Sequence, residues 1–313
     1  MDPAMDPATD AATDAAADPA ADAAGRGGTA FVLGGGGVLG AAEVGMLRAL
    51  FERGIRPDLV VGTSVGAING ALVAADPAPA AVDRLRGVWE DLASAGVFAG
   101  SVLTRARTLV RTRTHLHPRE PLRDLLAAHL PVRTFAELAV PFQCVAASIE
   151  RAAERWFTEG ALLDAVLASC AVPGLLPPVE LGGEHYLDGG LVHSIPVGRA
   201  VTLGADRVFV LHVGRIDRPL RPPARPWEVA QVAFEIARRH RFAADLAALP
   251  PGVTVHVLPS GERAAASAGD LRDLRYRDFS RVPERIDRAY EAAAGYLAEA
   301  GDAGGAPSGD REV

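Results

Sequence analysis

TAFVLGGGGVLGAAEVGMLRALFERGIRPDLVVGTSVGAING, residues 29–70, reads as two strand–turn–helix units placed back to back. In the first, the apolar run Thr29–Leu33 predicts a short strand that empties into Gly34, Gly35, Gly36 and Gly37, with a helix starting near Leu39. In the second, Leu59–Val61 predicts a strand that enters Gly62-Thr63-Ser64-Val65-Gly66, with a helix following through about Ala74. A glycine-rich turn that opens a helix presents backbone N–H groups able to hold negative charge. A G-x-S-x-G turn is the sharp bend that lifts a serine hydroxyl above a sheet edge. One unit therefore offers an anion hole and the other a nucleophile.

Gly35-x-Gly37-x-x-Gly40 after a strand also fits a dinucleotide-binding turn. That reading requires an acidic residue about 20 residues on, at the end of the next strand, to hold the ribose hydroxyls. Here the next strand ends in Gly-Thr-Ser-Val-Gly, and Asp58 lies at its wrong end. The nucleotide reading fails on that residue.

Outward from this module, further segments alternate. Helices are predicted over Ala80–Ser94, Pro121–His129, Leu162–Ser169, Val197–Leu203, Trp227–Ala248 and Pro283–Ala300. Strands are predicted over Pro141–Ser148, over Arg155–Thr158 as its hairpin partner, and over His185–Leu187, Arg207–Val213 and Val253–Leu258. Alternation of this kind implies an α/β fold, a three-layer sandwich whose central, largely parallel sheet is covered by helices on both faces. The expected organisation is a disordered acidic leader over 1–28, one folded domain over 29–300 and a disordered tail over 301–313. The leader is a tetrapeptide array, MDPA-MDPA-TDAA-TDAA-ADPA-ADAA, whose regularly spaced Asp residues and prolines oppose a helix.

Composition narrows the chemistry. The formal charge of -7 comes almost wholly from Asp2, Asp6, Asp10, Asp14, Asp18 and Asp22; without them 33 acids face 32 bases. A near-neutral body gives no footing for nucleic-acid binding. Every basic residue is arginine. That excludes P-loop, Schiff-base and serine–lysine chemistry, which all need a lysine amine. Cys144 and Cys170 lie in apolar runs and read as buried free thiols, with no zinc spacing. No apolar h-region or membrane-spanning run is found, so a cytoplasmic protein is expected. The arginine-rich stretch 96–123, with Arg105, Arg107, Arg111, Arg113, Arg119 and Arg123, is either a solvated cover or a flap that meets anionic lipid head groups.

Ser64 needs a base. His212 and His256 sit in apolar strand patterns and read as packed residues, whereas His185 and His193 flank Asp188 and read as supporting or surface groups. Asp188 lies where a short strand opens into Gly189-Gly190, an arrangement that admits close backbone approach. From this tripeptide alone, a base and a structural turn aspartate remain equal alternatives.

Gly-Gly-Gly-Val-Leu-Gly at 35–40, Gly-Thr-Ser-Val-Gly at 62–66 and Asp-Gly-Gly at 188–190 together resemble the three signature blocks of the patatin-like phospholipases. Ala168-Ser169-Cys170-Ala171-Val172-Pro173 and Pro177-Pro178 resemble that family's run ahead of the aspartate, and the likeness covers about 29–213. The resemblance implies hydrolysis of lipid acyl esters through a Ser64 acyl-enzyme, with Asp188 as direct general base and no metal or cofactor. It implies an oxyanion hole around Gly35, Gly36, Gly37 and Val38, with Gly40, Gly62, Gly66, Gly189 and Gly190 as motif glycines. Two positions depart from the family pattern: Leu39 stands where Arg or Lys is frequent, and His193-Ser194 stands where Asp-Asn is common. The alternatives are a Ser-Asp-His triad esterase or thioesterase acting on small substrates, and a non-catalytic lipid-binding or interaction protein of the same fold.

Overall fold

The structure is a computed structural model that describes residues 28–94, 108, 110–213, 219–220, 222–224, 226–261 and 279–302. Among the described residues eight strands form one sheet: β1 Gly28–Leu33, β2 Leu59–Thr63, β3 Phe142–Ser148, β4 Ala153–Phe157, β5 Val179–Leu181, β6 Glu184–Asp188, β7 Ala205–Leu211 and β8 Thr254–Leu258. The order is β5-β6-β3-β2-β1-β7-β8, with β4 also paired to β3. The run β3-β2-β1-β7-β8 is parallel. β4 and β6 run antiparallel to β3, and β5 antiparallel to β6. The expected sheet is therefore parallel through its centre and mixed at one side. The two hairpins, β3–β4 and β5–β6, have connections too short for a parallel crossover. The strand β5 is absent from the sequence reading because Pro177-Pro178 and the short Val-Glu-Leu segment carry no alternation to detect.

The helices are α1 Ala41–Glu52, α2 Val65–Ala75, α3 Ala80–Ser94, α4 Glu120–His129, α5 Leu162–Ser169, α6 Val197–Thr202, α7 Pro226–Ala247 and α8 Val282–Asp302. Strand alternation sorts the core into two halves. Phe31 and Leu33 of β1 point to one face, joined by Val60, Phe209 and Leu211 and covered by residues of α1, α2, α3, α5 and α8. Ala30 and Val32 point to the other, joined by Val61, Val208 and Val210 and covered by Val197 and Ala200 of α6 and Phe242 of α7. Both faces are thus buried, as the α/β sandwich reading requires.

Most boundaries differ by one or two residues, as three cases show. The glycine turn leads into a 3-10 turn at Gly37–Gly40 before α1 begins at Ala41, two residues later than expected. β7 starts at Ala205 and ends at Leu211, which leaves His212 and Val213 beyond the strand. α8 runs on to Asp302, into the expected tail. The acidic leader to residue 27, residues 95–107 and 109 of the arginine-rich stretch, and the tail from 303 lie outside the described residues.

Candidate active site

Parallel strands deliver their C-terminal ends to one edge, and loops gather there. β1 ends in the glycine turn, β2 ends in the serine bend, and β6, pairing with β3 at Ala146↔Asp188, brings the aspartate alongside. Ser64 Oγ donates to Asp188 Oδ2 at 2.5 Å, a bond between residues 124 apart in the chain. The predicted nucleophile and the predicted base are brought together.

Ser64 has φ 55 and ψ -122, a left-handed conformation that a non-glycine residue adopts at a cost of about 1–3 kcal/mol. Its neighbours over-determine it. The Ser64 N–H donates to Ser169 Oγ at 2.9 Å, and the Ser64 carbonyl accepts from Cys170 Sγ at 3.1 Å. The flanking glycines are there for space. A Cβ on Gly62 would lie 2.4 Å from the Gly66 carbonyl oxygen, and one on Gly66 would lie 2.2 Å from that of Leu33. A side chain at either position would wedge the bend open.

Asp188 is 4 % exposed. Its Oδ1 accepts from the Gly190 N–H at 2.7 Å, and its own N–H donates to the Ala171 carbonyl at 2.9 Å. Burial pushes its pKa up to about 6, against the lowering effect of the bonds from Ser64 and Gly190. Gly189 lets the chain pass β3: a Cβ there would lie 2.1 Å from the Val145 carbonyl oxygen.

The glycine turn faces this pair. A Cβ on Gly35 would lie 3.6 Å from Ser64 Cβ. The Gly35 N–H is already committed, donating to the Ser194 carbonyl at 2.9 Å. That bond ties Gly35, expected at the oxyanion hole, to the 193–194 segment. Gly36, Gly37 and Val38 open the 3-10 turn, where N–H groups have no acceptor inside the helical segment. The Val38 carbonyl accepts from Arg285 of α8 at 3.3 Å, which ties the turn from behind. Leu39 packs its side chain against the apolar core.

No histidine hydrogen-bonds Ser64 among the described residues. Both ring nitrogens of His193 meet carboxylates, Asp245 at 2.8 Å and Glu154 at 3.3 Å. His212 lies 3.5 Å from a guanidinium nitrogen of Arg238, and His256 lies 3.2 Å from Tyr296 Oη while stacking on Phe209. His185 sits at the surface against Glu150. Cys144 and Cys170 are buried free thiols, both with pKa raised by burial.

Three contributors were not assigned roles from sequence: Thr63, whose Oγ1 donates to the His193 carbonyl at 2.8 Å, Ser169 and Cys170. Ser169 left two traces, its place in the family-like run and a lone hydroxyl after the apolar residues Ala165–Ala168, and it is 0 % exposed in the fold.

The family model for patatin-like phospholipases matches residues 31–201. Patatin-like phospholipase domain-containing protein 7 of Rattus norvegicus is 32% identical over 191 residues, covering 60% of this chain and 14% of that protein. Lysophospholipase nte1 of Emericella nidulans is 34% identical over 186 residues, covering 59% of this chain and 12% of that protein. The chain thus spans only a small part of the length of these curated relatives. Among solved structures, VipD from Legionella pneumophila superimposes with a TM-score of 0.43 at 13% identity, over 88% of this chain and 67% of VipD. With more than half of its length matched by that family model, and with the three glycine-bearing blocks gathered at one sheet edge, the chain belongs to the patatin-like phospholipase family.

Proposed function

We propose that the protein is a lipid acyl hydrolase that cleaves carboxylic esters by a Ser64–Asp188 dyad. The observation that carries this reading is the 2.5 Å bond from a strained, buried serine hydroxyl to a buried carboxylate. Ser64 attacks the ester carbonyl while its proton passes to Asp188 Oδ2. The N–H groups of Gly36, Gly37 and Val38 receive the charge that develops on the carbonyl oxygen. One such donor is typically worth about 100–1,000-fold in rate. Collapse of the tetrahedral intermediate expels the alcohol, which takes the proton from Asp188. Water, deprotonated by the same carboxylate, then attacks the acyl-enzyme, and the fatty acid leaves as Ser64 Oγ takes that proton back from Asp188.

Asp188 is suited to both halves of this cycle. A carboxylate with an ordinary pKa is a feeble base; burial lifts this one to about 6, closer to working pH. The direct serine–carboxylate contact, with His193 engaged elsewhere, favours the dyad over a histidine triad. The intact bend and glycine turn favour catalysis over a purely lipid-binding role.

Relatives named as lysophospholipases support a phospholipid or lysophospholipid substrate. The catalytic unit is assigned to residues 29–300, with its chemistry in 29–213. No helix among the described residues is long and apolar enough to cross a membrane. Contact with the lipid is assigned to the surface. The exposed Arg111 and Arg113 lie on a segment whose Leu116 and His117 N–H groups are bonded to the Gly174 and Leu175 carbonyls, in the loop that follows Ala171.

The test is a lipid-class panel with wild type, Ser64→Ala and Asp188→Asn, together with labelling by a fluorophosphonate. Fatty-acid release and labelling that both disappear in Ser64→Ala are expected. Wild type that releases no fatty acid from any ester and takes no label would overturn the reading.

A further inference from the structure

We propose that His193 is a positioning residue, whose ring is clamped between Asp245 and Glu154 so that the 193–194 backbone holds the nucleophile strand and the glycine turn in register. The inference rests on the dyad reading and deepens it.

His193 is 4 % exposed, and its ring nitrogens lie 2.8 Å from Asp245 Oδ2 on α7 and 3.3 Å from Glu154 Oε2 on β4. A neutral imidazole has one donor and one acceptor nitrogen; two facing carboxylates fit the doubly donating imidazolium. Burial disfavours that charge, but the bonds to Asp245 and Glu154 outweigh it and raise the His193 pKa. The bond from His193 likewise drives Glu154 down to about 2. Arg241 approaches both carboxylates at 3.6 Å, and Asp245 also accepts the Gly198 N–H at 3.1 Å. Trp156 packs against the imidazole with ring centroids 5.6 Å apart. The ring is fixed on every side.

What the ring fixes is backbone. The His193 N–H donates to the Gly189 carbonyl at 2.8 Å, one residue after Asp188. The His193 carbonyl accepts from Thr63 Oγ1 at 2.8 Å, one residue before Ser64. The Ser194 carbonyl accepts the Gly35 N–H at 2.9 Å, one residue before the candidate oxyanion donors. Two consecutive residues therefore touch the chain beside the base, the nucleophile and the anion hole. The Ser194 hydroxyl, 3 % exposed, has no partner among the described residues, so the anchoring comes from the backbone and the His193 ring. Reacting groups displaced by about 1 Å can lose about 100-fold in rate, so slack at this junction reaches the chemistry without touching substrate.

The experiment compares wild type, Ser64→Ala, His193→Asn, Asp245→Asn and the double variant His193→Asn/Asp245→Asn. It measures kcat and KM on a short soluble acyl ester, the rate of fluorophosphonate labelling and the thermal midpoint. Each single variant is expected to lose about 30- to 100-fold in kcat with KM changed less than about threefold. Labelling should slow in parallel, and the double variant should be no worse than the worse single one. Wild-type kcat in a folded variant, unaltered labelling, or losses that multiply in the double variant would overturn the inference. If His193→Asn does not fold, Asp245→Asn carries the same decision, since it keeps the shape of the clamp and removes one of its two carboxylate charges. Wild type without Ser64-dependent turnover would overturn the dyad reading and this inference together. Normal wild-type turnover with indifferent variants would overturn this inference alone.

Discussion

The backbone N–H of Ser64 donates to the hydroxyl oxygen of Ser169 at 2.9 Å, and both residues are buried. A serine at the end of α5 thus satisfies a buried backbone donor of the bend. An orphaned buried N–H costs about 1–3 kcal/mol. The same bond opposes relaxation of Ser64 out of its left-handed conformation. Ser169→Ala should lower unfolding free energy by about that amount in urea titrations and should also reduce kcat. Ser169→Thr, which keeps the oxygen, should be milder on activity. A fully active Ser169→Ala enzyme would mean that the bend holds itself.

Asp188 sets a conflict between activity and stability. Its pKa in the fold is about 6, above the ordinary carboxylate value, so the folded protein binds the proton more tightly than the unfolded chain. The stabilisation is present in full below the unfolded pKa and is lost as pH rises through about 6. Asp188→Asn should therefore melt above wild type at pH 8, by a margin of the order of 1–3 kcal/mol, and the gap should close toward pH 4. Turnover should be abolished in that variant. In wild type, kcat/KM should climb through an apparent pKa near 6 as the base ionises. A flat profile from pH 5 to 8 would detach Asp188 from proton transfer.

Gly66 and Gly54 separate two uses of glycine. A Cβ on Gly66 would meet the Leu33 carbonyl oxygen at 2.2 Å and that of Gly34 at 2.8 Å, and backbone on both sides leaves nothing soft to move. Gly54 has φ +72 with nothing within 4 Å of its Cβ position. Gly66→Ala should cost about 3 kcal/mol or more and disable Ser64, whereas Gly54→Ala should cost about 1 kcal/mol and leave activity intact. Thermal melts and ester turnover on the two variants decide it.

The parts of the site with local signatures were legible in the sequence. The glycines at 62, 66 and 189 and the serine in its strand-to-helix bend stand in motifs a few residues long, although the Leu33 and Val145 carbonyls that crowd Gly66 and Gly189 lie far off in the chain; the apolar run of β1, buried on both faces, is equally local. The Ser64–Asp188 contact was legible only through the resemblance of four separated blocks, because a tripeptide does not say which strand it will lie beside. Ser169, Thr63 and the His193 clamp were not legible. Their partners lie 105, 130 and 52 residues away, and a buried hydroxyl or histidine looks the same in sequence whether it fills the core or holds a loop. The β5–β6 hairpin was missed for the same reason, since β5 is three residues long and takes its pairing from β6, whereas the antiparallel β3–β4 hairpin matches the expected one.

Arg111 and Arg113 are solvent-exposed beside Val110, which is 79% exposed. Arg123, by contrast, pairs with Asp164 at 2.7 Å and belongs to the body of the protein. If the exposed pair meets an anionic surface, each arginine contributes about 1 kcal/mol near it. Arg111→Gln/Arg113→Gln should weaken sedimentation with phosphatidylserine vesicles about tenfold or more, and leave turnover of short soluble esters unaltered. Equal sedimentation by the double variant would remove this segment from the lipid-facing surface.

Glu43 is 0 % exposed in the first turn of α1, directly behind the glycine turn. Its Oε2 accepts from Asn69 Nδ2 at 2.7 Å, and Asn69 in turn donates to the Gly40 carbonyl and accepts from Trp89 Nε1 at 3.2 Å. Oε1 has no partner among the described residues. Burial raises the pKa of this carboxyl well above its ordinary value, against smaller lowering contributions from Asn69 and the Gly34 backbone. Glu43 therefore holds its proton to higher pH in the folded protein than in the unfolded chain. The linkage has the same sign as for Asp188: the stabilisation is complete below the unfolded pKa and decays as pH rises toward the folded one. Glu43→Gln keeps the shape and the acceptor for Asn69 without a proton to lose. It should melt above wild type at pH 8, match it at pH 4 and retain turnover, because the side-chain amide it introduces still holds Asn69 against α1. Glu43→Ala should lose about 2 kcal/mol or more, since it leaves a cavity and strands one amide hydrogen of Asn69 in the core. A Glu43→Gln protein less stable than wild type at pH 8 would mean that the ionised carboxylate is the native form, held by a donor that the described residues do not include.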